Sequence, residues 1–205
     1  MHYATAVRRL RAIAEDCAKW GSVLEDNETI LIAAYAYGPV LDAPGADLDA
    51  VHIALVVDLP AEALPWGVEP PECSSLAFLL RLGKAPVLWR WWPAVWPVWN
   101  HAIRRPMPIW MLNGIQSDAL DALSESRAEP FRLVEPDAAM QAEQLHSELA
   151  ASAAHLRSVR DKYWDDQGWR REHRREGRYP EHHLWDAVDG YLDLLDARRR
   201  DTVAE

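Results

Sequence analysis

The feature that most constrains the fold is a change in the spacing of apolar residues at Asp137. Between Asp137 and Gly168 the chain contains no proline or glycine, and its apolar side chains recur at alternating intervals of four and three residues. This spacing places them along one side of a helix and predicts a single helix of about 28 residues. The side chains along it are Ala142, Leu145, Leu149, Ser152, Leu156, Val159 and Tyr163.

A second helix is predicted for residues 182–198, after a charged linker that spans residues 165–181. Two helices with one apolar face each pack most simply as an antiparallel pair. We therefore expect a helical hairpin in residues 137–200, packed on the preceding part of the chain. The apolar face of the second helix consists of Leu184, Trp185, Val188, Tyr191, Leu192 and Leu195.

Before Asp137 the sequence shows short apolar runs separated by prolines and glycines, which are typical of strands. Residues 2–20 are an exception, because apolar intervals of three and four predict an amphipathic helix that stops at Gly21. We predict an α+β fold class: an N-terminal helix, a small mixed or mostly antiparallel sheet within a domain of residues 1–130, and the C-terminal helix pair. The predicted strands are 29–37, 49–57, 87–92 and 107–111, and the predicted short helices are 74–82 and 118–126.

The charge distribution limits the classes of partner. The net charge is −10, yet residues 81–114 contain five basic residues and no acidic one. An acidic surface argues against general coating of nucleic acid, whereas a local basic segment can hold an anion. Cys17 and Cys73 are the two cysteines, too few for a disulfide framework or a CxxC metal site.

The sequence predicts neither a targeting signal nor contact with a membrane. The arginines near the N-terminus lie within an amphipathic pattern, and the most apolar later stretch, residues 85–99, is interrupted by Arg90 and three prolines. We therefore expect a cytoplasmic protein. Its 19 arginines against three lysines are typical of coding by a GC-rich bacterial genome.

Two acidic residues stand at the start of the second predicted strand. The first strand ends in Tyr37-Gly38-Pro39, and Asp47-Leu48-Asp49 leads directly into the next apolar run. This arrangement resembles the nucleotidyltransferase superfamily related to polymerase beta, in which a Gly-Ser pair follows one strand and an Asp-x-Asp pair begins the next. The resemblance implies that Asp47 and Asp49 are catalytic metal ligands for Mg²⁺ or Mn²⁺, and that Gly38 contacts the phosphates of a nucleotide.

The chain departs from this family at two places. Pro39 occupies the position of the serine, so neither a hydroxyl nor a backbone donor is present there. The family also uses a third carboxylate on a later strand, and neither 87–92 nor 107–111 contains one. The motif therefore indicates a degenerate copy that has lost transferase chemistry. An ordinary surface turn between two strands is the alternative. The overall layout also resembles uncharacterised families of similar length from GC-rich bacteria.

The second candidate site is a segment rich in tryptophan. Six of the eleven tryptophans lie in residues 81–114 among the five basic residues. Indoles interleaved with guanidinium groups can stack on a base while arginine takes its phosphate. The alternative is that the tryptophans pack in the core or in a protein interface. The candidate ligand-binding residues are Trp89, Trp92, His101, Arg104 and Arg105.

The third candidate lies in the C-terminal linker. Arg178 and His183 have the spacing found in HEPN ribonucleases, helical domains that often accompany nucleotidyltransferase folds, although Pro180 falls between them. A solvated hinge between two helices is the simpler interpretation.

Three functional hypotheses follow. The first is a non-catalytic nucleotidyltransferase-like protein that binds a nucleotide, an RNA end or a protein partner and acts as a regulatory module. The second is an active metal-dependent nucleotidyltransferase. The third is a structural protein that forms a homodimer through its Trp-rich face or its C-terminal helices.

Overall fold

The structure, a computed structural model, describes residues 1–21, 31–84, 86–175 and 179–204. The predicted α+β class is confirmed, because an N-terminal helix, a five-stranded mixed sheet and a set of C-terminal helices follow one another along the chain. The helices are α1 (Tyr3–Trp20), α2 (Pro39–Asp42), α3 (Ser74–Leu79), α4 (Ser117–Ser124), α5 (Ala138–Asp165), α6 (Gln167–Arg175) and α7 (Pro180–Ala204). The strands are β1 (Leu31–Tyr37), β2 (Val51–Val57), β3 (Val87–Pro93), β4 (Met107–Met111) and β5 (Gly114–Ile115).

The chain forms two compact units. The first consists of Met1–Leu59 and Glu69–Pro136, and the second of Pro60–Val68 and Asp137–Glu205. The loop Pro60–Val68, which the sequence places among the strands, thus clusters with the C-terminal helices. No helix within the described residues combines the length and apolarity needed to cross a membrane.

In the first unit, α1 forms because its apolar side chains recur every three or four residues, and the side that they share is buried. The helix ends where the sequence predicts: the N–H of Gly21 donates to the carbonyl of Cys17 at 2.7 Å. The hydroxyl of Tyr3 donates to the carbonyl of Leu123 in α4 at 2.8 Å. The buried apolar positions of α1 are Ala6, Val7, Leu10, Ile13, Ala14 and Cys17.

The sheet has the strand order β3-β2-β1-β4-β5. β1 pairs antiparallel with β2 and with β4, as β4 does with β5, whereas β2 and β3 are parallel. Three of the four strand pairs are antiparallel, which agrees with the predicted mixed or mostly antiparallel sheet. The parallel pair requires a crossover rather than a tight turn, and residues 58–86 provide it. β1 and β2 are buried over nearly their whole length, as central strands are.

The segment between β1 and β2 contains a helical turn. The sequence analysis predicts no helix between these strands, but Pro39 begins the four-residue helix α2. Proline is favourable at a first helical position, because its fixed φ suits the helix and its missing N–H has no partner there anyway. The second predicted strand also begins two residues late, so Asp49 precedes β2.

In the second unit, α5 has 28 residues and its length agrees with the prediction. Asp137 caps it, since its carboxylate accepts from the N–H of Met140 at 2.9 Å. The hydroxyl of Tyr163, near the end of α5, contacts the carboxylate of Glu181, near the start of α7, at 3.3 Å. These two helices therefore run antiparallel, as expected.

The predicted linker 165–181 is wrong in its first half, which forms the helix α6. Asp166 explains the start of this helix, because its carboxylate accepts from the N–H of Trp169 at 2.9 Å and satisfies an otherwise free donor. Trp169 is the one large apolar residue in α6, so the spacing of apolar residues does not predict this helix.

The buried side of α7 also differs from its predicted apolar face. Ala187, Gly190, Leu194 and Ala197 are buried, whereas Trp185 is 68% exposed. Small residues allow close approach: a Cβ on Gly190 would lie 1.9 Å from the carbonyl oxygen of Trp66. The indole N–H of Trp66 donates to Asp193 at 2.7 Å, which fastens the loop Pro60–Val68 to α7.

Candidate functional site

Three strand ends meet at one edge of the sheet. Tyr37, the last residue of β1, pairs with His52 near the start of β2, and Ala36 pairs with Met107 at the start of β4. Gly38, the residues that precede β2, and the turn that precedes β4 are therefore brought to the same edge. We call this region, comprising Gly38, Asp47, Asp49, Arg104 and Arg105, the sheet-edge site.

Gly38 adopts a backbone conformation that other residues avoid. Its φ is 69° and its ψ is −144°. Its carbonyl accepts hydrogen bonds from the N–H groups of Leu41 and Asp42 at 2.8 and 3.1 Å, which closes the turn of α2. A Cβ at this position would lie 3.1 Å from Nδ1 of His52. Both the turn and the neighbouring ring therefore favour glycine.

Asp47 and Asp49 are both exposed, and Leu48 and Ala50 between and after them are buried. Both carboxylates therefore face solvent, in the stretch of chain that leads into β2. The carboxylate of Asp47 contacts Nδ1 of His2 at 2.8 Å, and both side chains are largely exposed.

The carboxylates do not form a complete metal site by themselves. Within the parts of the chain that the structure describes, no group of three His, Cys, Asp or Glu side chains is placed to hold an ion. β3, which lies beside β2, carries Arg90 opposite Ala54 and no acidic residue. A protein-only site for Mg²⁺ or Mn²⁺ therefore does not fit these residues.

His52 and Tyr37 are site residues that sequence reasoning missed. Their rings contact edge to face with centroids 5.4 Å apart. Burial, reinforced by the charge of Arg90, lowers the pKa of His52. Burial raises the pKa of Tyr37, and Arg90 partly opposes this effect. The signal available in the sequence was a single histidine within an otherwise apolar strand.

Arg132 links the glycine turn to the turn before β4. Its guanidinium donates to the carboxylate of Asp42 in α2 at 2.8 Å and to the carbonyl of Arg105 at 2.8 Å. Its side chain is only 8% exposed. Sequence reasoning also missed this residue, since it lies outside every motif.

The predicted basic ligand-binding residues are partly neutralised. Arg105 forms an ion pair with Glu129, which lies outside the basic segment in sequence. His101 is half-buried. Arg104 is exposed and, among the described residues, has no carboxylate partner. Of the predicted anion-binding groups, Arg104 is the one most open to a ligand.

Four of the six tryptophans in the Trp-rich segment are buried. Trp92 is 2% exposed, and its indole N–H donates to the carbonyl of Pro97 at 3.0 Å. Trp91, Trp99 and Trp110 are also buried. Trp89 is half-buried. This burial agrees with the alternative prediction, in which the tryptophans pack in the core.

The remaining candidates are the two cysteines and the pair Arg178 and His183. Cys17 and Cys73 are fully buried, and burial raises the pKa of both thiols, that of Cys73 to about 12, so neither is a reactive nucleophile. Arg178 lies outside the described residues. His183 is half-buried, with its ring centroid 5.7 Å from that of Trp169.

The first unit thus defines a class: an α+β sheet layer with a glycine turn and two solvent-facing carboxylates at one edge. The chain belongs to the family described as Domain of unknown function (DUF7711), whose sequence profile matches residues 1–200. Comparisons with curated proteins and with solved structures found no match.

Proposed function

We propose that the chain is a non-catalytic nucleotide-binding protein whose first unit is related to the nucleotidyltransferase fold. The observation that carries the proposal is the convergence at the sheet-edge site of a glycine turn, two exposed carboxylates and the exposed guanidinium of Arg104. A nucleotide presents phosphates for arginine and backbone donors, and its bound metal presents a charge for carboxylates.

The element order of the first unit supports the relationship. α1 precedes β1, a glycine turn follows β1, and the acidic pair precedes β2. Loss of catalysis is favoured by Pro39 in place of a hydroxyl residue and by the lack of an acidic residue on β3. A binding or regulatory role needs neither of these groups.

An ion at this site would use Asp47 and Asp49 together with phosphates and water. Mg²⁺ is often held in this way, by one or two carboxylates and by the phosphates of its substrate. The chain would then bind the ion only together with the nucleotide. The alternative of an active nucleotidyltransferase would need a third carboxylate from outside β3 and β4, which contain no acidic residue.

The ligand is expected to be small rather than a long nucleic acid. The net charge of −10 repels an extended polyanion, whereas a single nucleotide needs only a local basic site. An RNA end also carries phosphate groups. If an RNA end is the natural ligand, it should compete with the nucleotide for the site. The free, buried cysteines suit a bacterial cytoplasm.

A second candidate function is self-association through the second unit. Trp164 is 67% exposed and Trp185 is 68% exposed, whereas most of the Trp-rich segment is buried. Exposed tryptophans are enriched at protein interfaces. A homodimer that dissociates on Trp185→Ala, as seen by light scattering, would support this candidate.

The proposal is tested by thermal unfolding with ATP and Mg²⁺ or Mn²⁺. We expect ATP with metal to raise the melting temperature, because a ligand of the folded state stabilises it. Asp49→Asn should remove the part of this rise that depends on metal. Asp58→Asn is the matched control, since Asp58 is equally exposed but follows the opposite end of β2. An identical response in both variants would contradict the assignment.

A further inference from the structure

A polar pocket lies in the first unit, between the C-terminal end of α1 and the segment that contains α3 and the following turn. Its volume is about 290 Å³. Its lining combines cations, one carboxylate and aromatic rings: Asp16, Lys19, Trp20, Phe78, Arg81 and Lys84. We call it the lysine pocket.

The guanidinium of Arg81 is held in place at this pocket. Its Nε and Nη2 donate to the carboxylate of Asp16 at 2.9 and 2.7 Å, and Asp16 is 6% exposed. Nη1 takes no part in this pair and makes no hydrogen bond to another described residue. The guanidinium is thus fixed by one edge and still has donors to offer on the other.

The backbone at Arg81 supports a specialised role. Its φ is 54°, in the left-handed region that residues other than glycine adopt only when their surroundings hold them there. Arg9 contributes to this, since its guanidinium donates to the carbonyl of Arg81 at 2.5 Å. Strained residues of this kind concentrate where a side chain must be held for a ligand.

Two ammonium groups supply the net charge of the pocket. Lys19 and Lys84 are exposed, and neither has a carboxylate within ion-pair distance in the described residues. With Asp16 compensated by Arg81, Lys19 and Lys84 leave the lining positively charged, and the nearby carboxylate of Glu15 reduces this charge in part. Lys19 and Lys84 are two of only three lysines in the chain. The third, Lys162, is exposed on α5 and does not line this pocket.

Aromatic surface lies beside these charges. The side chain of Phe78 is 78% exposed, so most of its ring surface is open to a ligand. Trp20 is half-buried, and the ammonium of Lys19 lies 4.6 Å from the centroid of its ring. Flat apolar rings beside cations suit a ligand with a planar ring and an anionic group.

We infer that the lysine pocket binds a small phosphate monoester that carries a planar ring, of which a nucleoside monophosphate is an example. The phosphate dianion, with three terminal oxygens, matches one fixed guanidinium and two ammonium groups better than a single carboxylate does. Its ring would pack against Phe78.

The lysine pocket is distinct from the sheet-edge site. His2 contacts Asp47 just before α1 begins, whereas Trp20 is the last residue of α1. The 18 residues of this helix separate the two ends by about 25 Å. The inference therefore does not depend on the function proposed for the sheet-edge site.

The test is protection of lysines from acetylation in the full chain, measured residue by residue by mass spectrometry. AMP is the probe, and EDTA is present so that no metal contributes. We expect AMP to slow the acetylation of Lys19 and Lys84 at least about threefold, since each contact is partly solvent-screened. Lys162 in the same molecule is the internal control. The inference would be overturned if AMP left the acetylation rates of Lys19 and Lys84 unchanged, or slowed the acetylation of Lys162 by the same factor.

Further measurements separate the contributions of the phosphate, the ring and the lysines to binding. Adenosine, which lacks the phosphate, should give no protection. Inorganic phosphate should protect only at higher concentration than AMP, and equal potency would overturn the role of Phe78. Calorimetric affinity for AMP should fall at least about threefold in Lys84→Gln and remain unchanged in Lys162→Gln. Asp49→Asn should leave the protection of Lys19 and Lys84 by AMP unchanged. A failure of the function proposed for the sheet-edge site can therefore be distinguished from a failure of the lysine pocket to bind AMP.

Discussion

At the scale of single residues, the sheet-edge site depends on Gly38. A side chain there would meet two obstacles, the backbone conformation and the ring of His52. We predict that Gly38→Ala lowers the free energy of unfolding by more than about 1 kcal/mol, as measured by urea denaturation.

A second glycine provides the matched control for this substitution. Gly45 also has a positive φ, 83°, but a Cβ there would meet no atom within 4 Å. Gly45→Ala therefore places a side chain on another glycine of positive φ without the steric contact. Equal losses in the two variants would show that His52 does not restrict the turn.

His52 predicts a dependence of stability on pH. Its pKa is lowered from the ordinary value of 6.5 by burial and by Arg90, so the folded chain resists a proton that the unfolded chain accepts. The free energy of unfolding should therefore fall as the pH drops below 6.5 toward the lower pKa of the folded state.

The measurement is the urea midpoint at about pH 7.5 and about pH 5.5 for the natural chain and for His52→Gln. The variant should lose less stability on acidification. It should keep part of the dependence, because burial also lowers the pKa of His155. A fall of the same size in both chains would contradict the account of His52.

At the scale of elements, α7 depends on a close approach of backbone. A Cβ on Gly190 would lie 1.9 Å from the carbonyl oxygen of Trp66. Gly190→Ala must therefore displace the loop Pro60–Val68. We predict a loss of about 2 kcal/mol or more in the free energy of unfolding. Gly83→Ala, where a Cβ meets nothing within 4 Å, is the control and should change little.

Most helices and strands could be predicted, because their sequences carry strong periodic signals. α1 and α5 show apolar intervals of three and four, and the run Met107–Met111 forms β4 with the predicted bounds. The exceptions have local physical causes. α2 and α6 arise from Pro39 and Asp166 at helix starts, rather than from an apolar face.

The packing of elements was less accessible to sequence reasoning. The buried face of α7 consists largely of alanine and glycine, whose weak hydropathy is hidden beside larger apolar residues that stay half-exposed. The parallel pairing of β2 and β3 depends on a long crossover, which periodicity does not detect. Both features follow from tertiary geometry.

At the scale of the whole molecule, charges distant in sequence compensate one another within the first unit. The segment 81–114 is basic in sequence, but Arg81 pairs with Asp16 and Arg105 with Glu129. The motif residues Gly38, Asp47 and Asp49 could be found from spacing alone. His52 and Arg132 could not be assigned to the sheet-edge site, because strand pairing brings His52 there and tertiary hydrogen bonds to Arg105 and Asp42 bring Arg132 there.

We propose that the chain binds a nucleotide without transforming it. The most direct measurement is equilibrium dialysis of the full chain against ATP labelled in its α-phosphate, with Mg²⁺, followed by analysis of the recovered nucleotide. We predict that the chain retains ATP in a saturable way and releases it intact, and that Asp49→Asn weakens retention whereas Asp58→Asn does not. Absence of retention would contradict the binding function. Recovery of the label as AMP, or attached to an acceptor, would contradict the loss of catalysis.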